Sequence, residues 1–273
     1  TQLTWRIALP ASIGMFFNTM FNFVDTYCAG LISTDALASL SLSFPVFFLF
    51  IALGSGISQA TTALMANAIG SGQNHLAVRV FKQSLLCTLA IGLAASAIGF
   101  LVAPELFKLL GAQEQYLQTA LSYMNVLLAG GVFFLLTLTT NSGLTAQGDT
   151  RTYRNFLLVA CIANLLLNPV LMWGWLGTPP LGVAGIALAT VIVQTIGATW
   201  LHRKVSTSTL FSESPVSALK PEPELIRQIL QQAIPSALNM LTVALGVFII
   251  SWFAKHFGKE AVAASGIAMR IEQ

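Results

Sequence analysis

Seven runs of about 20 mostly apolar residues, broken by short polar stretches, set the first limit on what this chain can fold into. They fall at Ile7–Leu31, Leu42–Ile69, Leu85–Val102, Leu117–Leu138, Phe156–Trp175, Val183–Leu201 and Ile229–Phe253. An eighth opens near Ala261 and is unfinished at Gln273. A helix needs about 20 such residues to cross the hydrocarbon core, and helices in soluble cores are shorter. Charged residues make up 8% of the chain, against about 25% in soluble domains, so there is too little polar surface to face water. The expected fold is an all-α polytopic membrane protein. Cys28, Cys87 and Cys161 sit in separate runs without C-x-x-C spacing and read as buried free thiols. The first run is too long for a cleavable signal peptide, and further spans follow it. A net charge of +3 gives no reason to expect a nucleic-acid partner.

Residues 202–228 form the one long polar stretch, with Pro215, Pro221 and Pro223 among serines, threonines and mixed charges, and read as a linker. Basic residues divide unevenly across the spans. Arg6, Arg79, Lys82, Arg151, Arg154, Arg203, Lys204, Lys220 and Arg227 fall on one side, and Lys108, Lys255 and Lys259 on the other. The positive-inside bias places the N-terminus and the linker in the cytoplasm. A shift of 225 residues aligns Ile7–Ser41 with Gln232–Gly266 without a gap. Pro10 then meets Pro235, Met15 meets Met240, Phe23 meets Phe248, and Asp35 meets Glu260. Six spans separate the copies, so both start on the same side, as in parallel repeats related by an axis along the membrane normal. The expected organisation is an N-lobe of six transmembrane helices over residues 1–201, a cytoplasmic linker over 202–228, and the start of a pseudo-twofold-related second lobe over 229–273. A second lobe that mirrors the first would need about six spans in all, so the chain reads as a fragment.

Asp25 is the one acid inside an expected span, and Asn18, Asn22 and Asp25 share a face at i, i+4 and i+7. A carboxylate at membrane depth faces a cavity, finds partners or takes up a proton. Asn164 and Asn168 repeat the i, i+4 spacing in the fifth span, with Pro169 next; on spacing alone they read equally as a site or as glue between helices. Thr137, Thr140 and Asn141, and likewise Ser55, Ser58, Gln59 and Thr62, form further polar faces that either line a cavity or knit helices. Met15, Met20 and Met65 could give an adaptable lining for apolar ligands, though most such side chains simply pack. His75, His202 and His256 lie far apart, with no metalloprotease, nucleophile-elbow or P-loop spacing, so an enzyme is not expected.

Three stretches in order along the chain carry a family resemblance: Val24-Asp25-Thr26 with Gly30 and Asp35-Ala36-Leu37-Ala38, then Gly143 through Thr150, then Gly182 through Thr190. They resemble the multidrug and toxic compound extrusion (MATE) family, and within it the bacterial branch named after DNA-damage-inducible protein F. The resemblance implies two six-helix lobes around a V-shaped cavity, working by alternating access on a proton or sodium gradient. It implies a coupling-cation site at Asp25, Asn164, Asn168 and Thr190, holding H+ or Na+, with no other metal and no cofactor. It also implies bending of the first helix at Pro10, to which we add Pro169 in the fifth. Some members carry an aspartate where this chain has Asn168, and others a glutamate where it has Val243. Both departures leave Asp25 as the sole expected carboxylate.

The expected function is secondary active efflux of amphipathic or cationic compounds in exchange for H+ or Na+, by a monomer in the bacterial inner membrane. Asn18, Asn22, Met20, Met65, Gln59 and Asn141 are the expected substrate-cavity residues. The alternative is a flippase for lipid-linked precursors or polysaccharides. Such a protein would favour basic residues in its cavity, and no expected span of the first lobe has one in its interior.

Overall fold

Polar punctuation decides where the apolar runs stop being helix. Ser33 is extended, and its hydroxyl accepts the Ala36 N–H, opening a new helix immediately after the first one ends. Asp149, just before the fifth span, accepts the N–H groups of Arg151 and Thr152 at 3.0 Å each and so satisfies two free donors at its start. The computed structural model describes residues 2–177, 179–213 and 220–272. Among them lie α1 (Gln2–Ile32), α2 (Thr34–Gly70), α3 (Asn74–Leu109), α4 (Glu114–Ala146), α5 (Arg151–Trp173), α6 (Val183–Ser206), a short α7 (Thr209–Glu213), α8 (Pro223–Ala254) and α9 (Lys259–Glu272). No strand occurs among the described residues.

Six of these helices, α2 to α6 and α8, are long and apolar enough to cross a membrane, among the described residues. The sequence predicts seven such spans before the unfinished one. The remaining expected run, Ile7–Leu31, lies within α1, which is long enough at 31 residues. Other ends also move. α2 starts at Thr34 rather than Leu42, because the Ser33 cap recruits the small residues that follow. The stretch expected as linker is helical at both ends, since α6 runs to Ser206 and α8 starts at Pro223, a residue well suited to a first helical turn. Residues 214–219, including Pro215, lie outside the described residues. Both α1 and α5 run unbroken through Pro10 and Pro169.

α2 is the central post, in contact with α1, α3, α4, α8 and α9. Close approach needs glycine at the tightest crossings. A Cβ on Gly56 would stand 2.5 Å from the Ala233 carbonyl oxygen of α8, and one on Gly185 of α6 would stand 2.6 Å from the Leu171 oxygen of α5. Hydroxyls add cross-links, half-buried Ser58 with Ser142 at 2.6 Å and buried Thr88 with Thr139 at 2.7 Å. The 225-residue shift read in the sequence carries Thr34, where α2 opens, onto Lys259, where α9 opens. Each of these helices has an acid in its first turn, Asp35 and Glu260.

At the α8 end of the linker, chain and bundle are fastened together. Gln83 of α3 donates from Nε2 to the Lys220 carbonyl at 2.8 Å and accepts the Glu222 N–H at 3.1 Å, gripping both sides of Pro221. Arg79, one turn earlier, pairs with the Glu222 carboxylate through Nε and Nη2.

Candidate functional site

Asp25 sits on the face of α1 turned toward α5 and α6, where it is 4% exposed. Asn164 and Asn168, one turn apart on α5, point their amides at it and are fully buried. Asp25 Oδ1 accepts from Asn164 Nδ2 at 3.0 Å and from Asn168 Nδ2 at 2.9 Å, and Oδ2 accepts from Thr190 Oγ1 at 3.0 Å. Asn168 Nδ2 also donates to Asn164 Oδ1 at 3.1 Å, which fixes the two amides relative to each other. These three donors are uncharged, and two come from α5 and one from α6. Around them Val24, Cys28 and Ala29 of α1 pack with Met172, Val183 and Ile186 in an apolar shell. One polar atom in the cluster has no partner among the described residues: Asn168 Oδ1 is buried and accepts no hydrogen bond there.

Asp25 and Thr190 also border a cavity of about 630 Å³ lined by residues of α1, α2, α4, α5, α6 and α8. That volume lies in the range of small-molecule sites. Its walls carry the aromatic side chains of Phe21, Phe44, Phe47, Phe48, Tyr123 and Phe134, and its polar groups include Asn18, Asn22, Asn141 and Gln194. Met240 and Val243 of α8 close one side. Among the described residues no group of three or more His, Cys, Asp or Glu side chains could hold a metal ion. Cys28 and Cys87 are buried, Cys161 is half-buried, and all three are free.

The MatE family model matches residues 10–170. The chain belongs to the MATE family. "Probable multidrug resistance protein YoeA" of Bacillus subtilis is 31% identical over 245 residues, covering 88% of this chain and 52% of that protein. "FAD transporter" of Shewanella oneidensis is 29% identical over 98% of this chain and 59% of its own length. A MOP superfamily transporter of Pyrococcus furiosus matches in structure with a TM-score of 0.83 and 26% identity, over 99% of this chain and 59% of that one. An inward-facing MATE structure at 25% identity (96% of this chain, 61% of that one) and an outward-facing one at 27% (98% and 59%) both give TM-scores of 0.83. The chain spans about half to three-fifths of the length of these relatives. They are named as transporters or resistance proteins, and MATE proteins are not enzymes.

Within this MATE chain, the structure brings Asp25, Asn164, Asn168 and Thr190 together and places Asn18, Asn22 and Asn141 on the cavity. Pro10 borders the cavity too, whereas Pro169 does not. Three residues expected in the cavity are not among those lining it. Met65 is fully buried in a cluster with Val78, Phe81 and Leu144, because its face of α2 is covered by α3 and α4. Gln59 is exposed and bonded to Ser55 of its own helix at 3.2 Å. Met20 is half-buried and off the cavity wall, one step round α1 from the Asn18–Asn22 face. Ser58 knits α2 to α4, and Thr137 both lines the cavity and donates to the Gln194 carbonyl of α6 at 3.2 Å. Sequence reasoning missed Arg154, which lines the cavity. Its span was started at Phe156, yet the helical period that links Asn168 and Asn164 also reaches Arg154 when run back to the first turn of α5.

Proposed function

We propose that the protein of which this chain is part is a secondary active efflux antiporter, expelling amphipathic compounds in exchange for protons by alternating access. The observation that carries this reading is the buried Asp25 carboxylate, held by neutral donors from two other helices and opening on a cavity of drug size. Such a group can change charge by one proton and bias a two-state packing of α1. The amides of Asn164 and Asn168 present N–H groups to the carboxylate, which suits a site for H+ better than one for Na+; sodium would need both amides turned to offer oxygen. We read the α1–α6 bundle as an N-lobe and α8–α9 as the start of a second lobe. The protein works as a monomer in the bacterial inner membrane, its N-terminus cytoplasmic, a placement supported by the nine-against-three split of basic residues.

A lipid-linked-precursor flippase is the second reading, and it draws support from Arg154, since a basic group in the cavity is what an anionic headgroup needs. To decide, full-length protein is placed in vesicles, with proton and sodium gradients imposed separately. Solute export on the proton gradient alone is the expected result. Export on sodium alone would make Na+ the coupling ion, and lipid flipping without solute export would replace the antiporter by the flippase.

A further inference from the structure

The cavity has a second charged end. Arg154, in the first turn of α5, is half-buried and lines the same space as Asp25. Its backbone lies against Gly14 of α1, where a Cβ would stand 3.6 Å from the Arg154 Cα. Gly14 and Asp25 are 11 residues apart on α1, about 16 Å along the axis. Among the described residues no carboxylate pairs with Arg154. Nε and Nη2 donate to Asn155 Oδ1 at 3.1 and 2.7 Å, a neutral acceptor, and among the described residues the other guanidinium N–H groups meet no acceptor. The opposite charge in the cavity is engaged, since both oxygens of Asp25 already accept hydrogen bonds. The available charge is therefore positive, at the end remote from Asp25, beside Tyr153.

We infer that Arg154 is the specificity-determining anchor for the anionic group of an amphipathic solute. Resting on the transporter reading above, this sets the substrate class as compounds that join an aromatic body to a carboxylate, sulfonate or phosphate. A planar guanidinium pairs with such groups through two parallel hydrogen bonds, and the aromatic walls take the ring system. The cavity volume of about 630 Å³ fits a small solute of this kind rather than a long lipid chain.

Riboflavin and flavin mononucleotide test this, since they share one ring system and differ by a phosphate. Binding of each to full-length protein in neutral detergent is read by quenching of flavin fluorescence. The phosphorylated flavin should bind about tenfold to a hundredfold more tightly, the range of a charged hydrogen-bonded pair. Arg154→Gln should bring the ratio of the two affinities close to one, and Arg154→Lys should restore part of it. An unchanged thermal transition in both variants reports intact folding. Equal affinity of the wild type for the two flavins, no binding of either, or a preference that survives Arg154→Gln overturns the proposal. A preference abolished by added phosphatidylglycerol, with no export of the phosphorylated flavin from vesicles, assigns Arg154 to lipid headgroups instead and also overturns it. Gradient-driven export of a cationic dye alongside failure of the flavin test would leave the antiporter standing and sink only this inference.

Discussion

Two carboxylates in this chain, Asp25 and Glu222, are held in opposite ways. Asp25 is buried between three helices and accepts from two amides and a hydroxyl. Glu222 lies in the linker with its side chain 30% exposed, and its main partner is the Arg79 guanidinium. A guanidinium keeps its charge throughout the accessible pH range, so the Glu222 pair is a fixed fastening. Neutral donors impose no such lock. Protonation of Asp25 leaves every helix in reach of its neighbours while altering the local charge, and this is what a coupling site requires. The exposed pair, by contrast, is screened by salt and adds little to stability.

The largest effect should come from breaking the first arrangement. Asp25→Asn in the full-length protein is expected to reduce gradient-driven efflux to background, with expression and thermal stability close to wild type because the amide fills the same space. Asp25→Leu should fold less well, by about 3 kcal/mol or more, since it leaves three buried donors without an acceptor. Unfolding in detergent would check this. Wild-type resistance from Asp25→Asn would reduce the carboxylate to a structural group. A smaller change follows from Asn168→Asp, which sets a second acid beside Asp25. The pH profile of efflux should then move and broaden, as two interacting acids titrate in coupled steps. An unchanged profile would mean the pair does not share one site.

The smallest effect belongs to the strap. Arg79 holds the Glu222 carboxyl below its ordinary value of 4.5, chiefly by hydrogen bonding. Its folded-state value is lowered, so its contribution is fully present above 4.5 and is lost as pH falls through the depressed value. Glu222→Gln should therefore cost at most about 1 kcal/mol at neutral pH and low salt. The difference from wild type should vanish in high salt and at strongly acid pH, as melting curves across both would reveal. Gln83, buried and bonded to backbone on both sides of Pro221, carries more of the fastening than the ion pair.

The helical character of the chain could be read from its sequence because lipid demands unbroken apolar runs, and that demand is visible residue by residue. Spacing on α1 placed Asn18, Asn22 and Asp25 on one face. Which helices would meet that face was not visible in periodicity, and the pairing of Asp25 with Asn164, Asn168 and Thr190 was read from family resemblance alone. Met65 and Gln59 show the limit from the other side. Both are plausible cavity residues by chemistry, yet one is covered by neighbouring helices and the other is exposed and off the cavity wall. Arg154 escaped because hydropathy trims a helix at its first charge, while the helix itself starts at Arg151, whose N–H the Asp149 carboxylate accepts.

The Asp25 cluster also fixes an order of events during synthesis. Its partners lie far downstream, Asn164 at 139 residues and Thr190 at 165. At about 5–20 residues per second, a ribosome needs roughly 7–30 s to make them. Throughout that interval α1 must be lodged in or beside the bilayer with its acid lacking these donors, and insertion of an aspartate at mid-helix costs about 2.5–3.5 kcal/mol. Only Ser33 separates α1 from the strongly apolar α2, so the two can enter as one hairpin, with α2 carrying its polar neighbour in until α5 and α6 arrive.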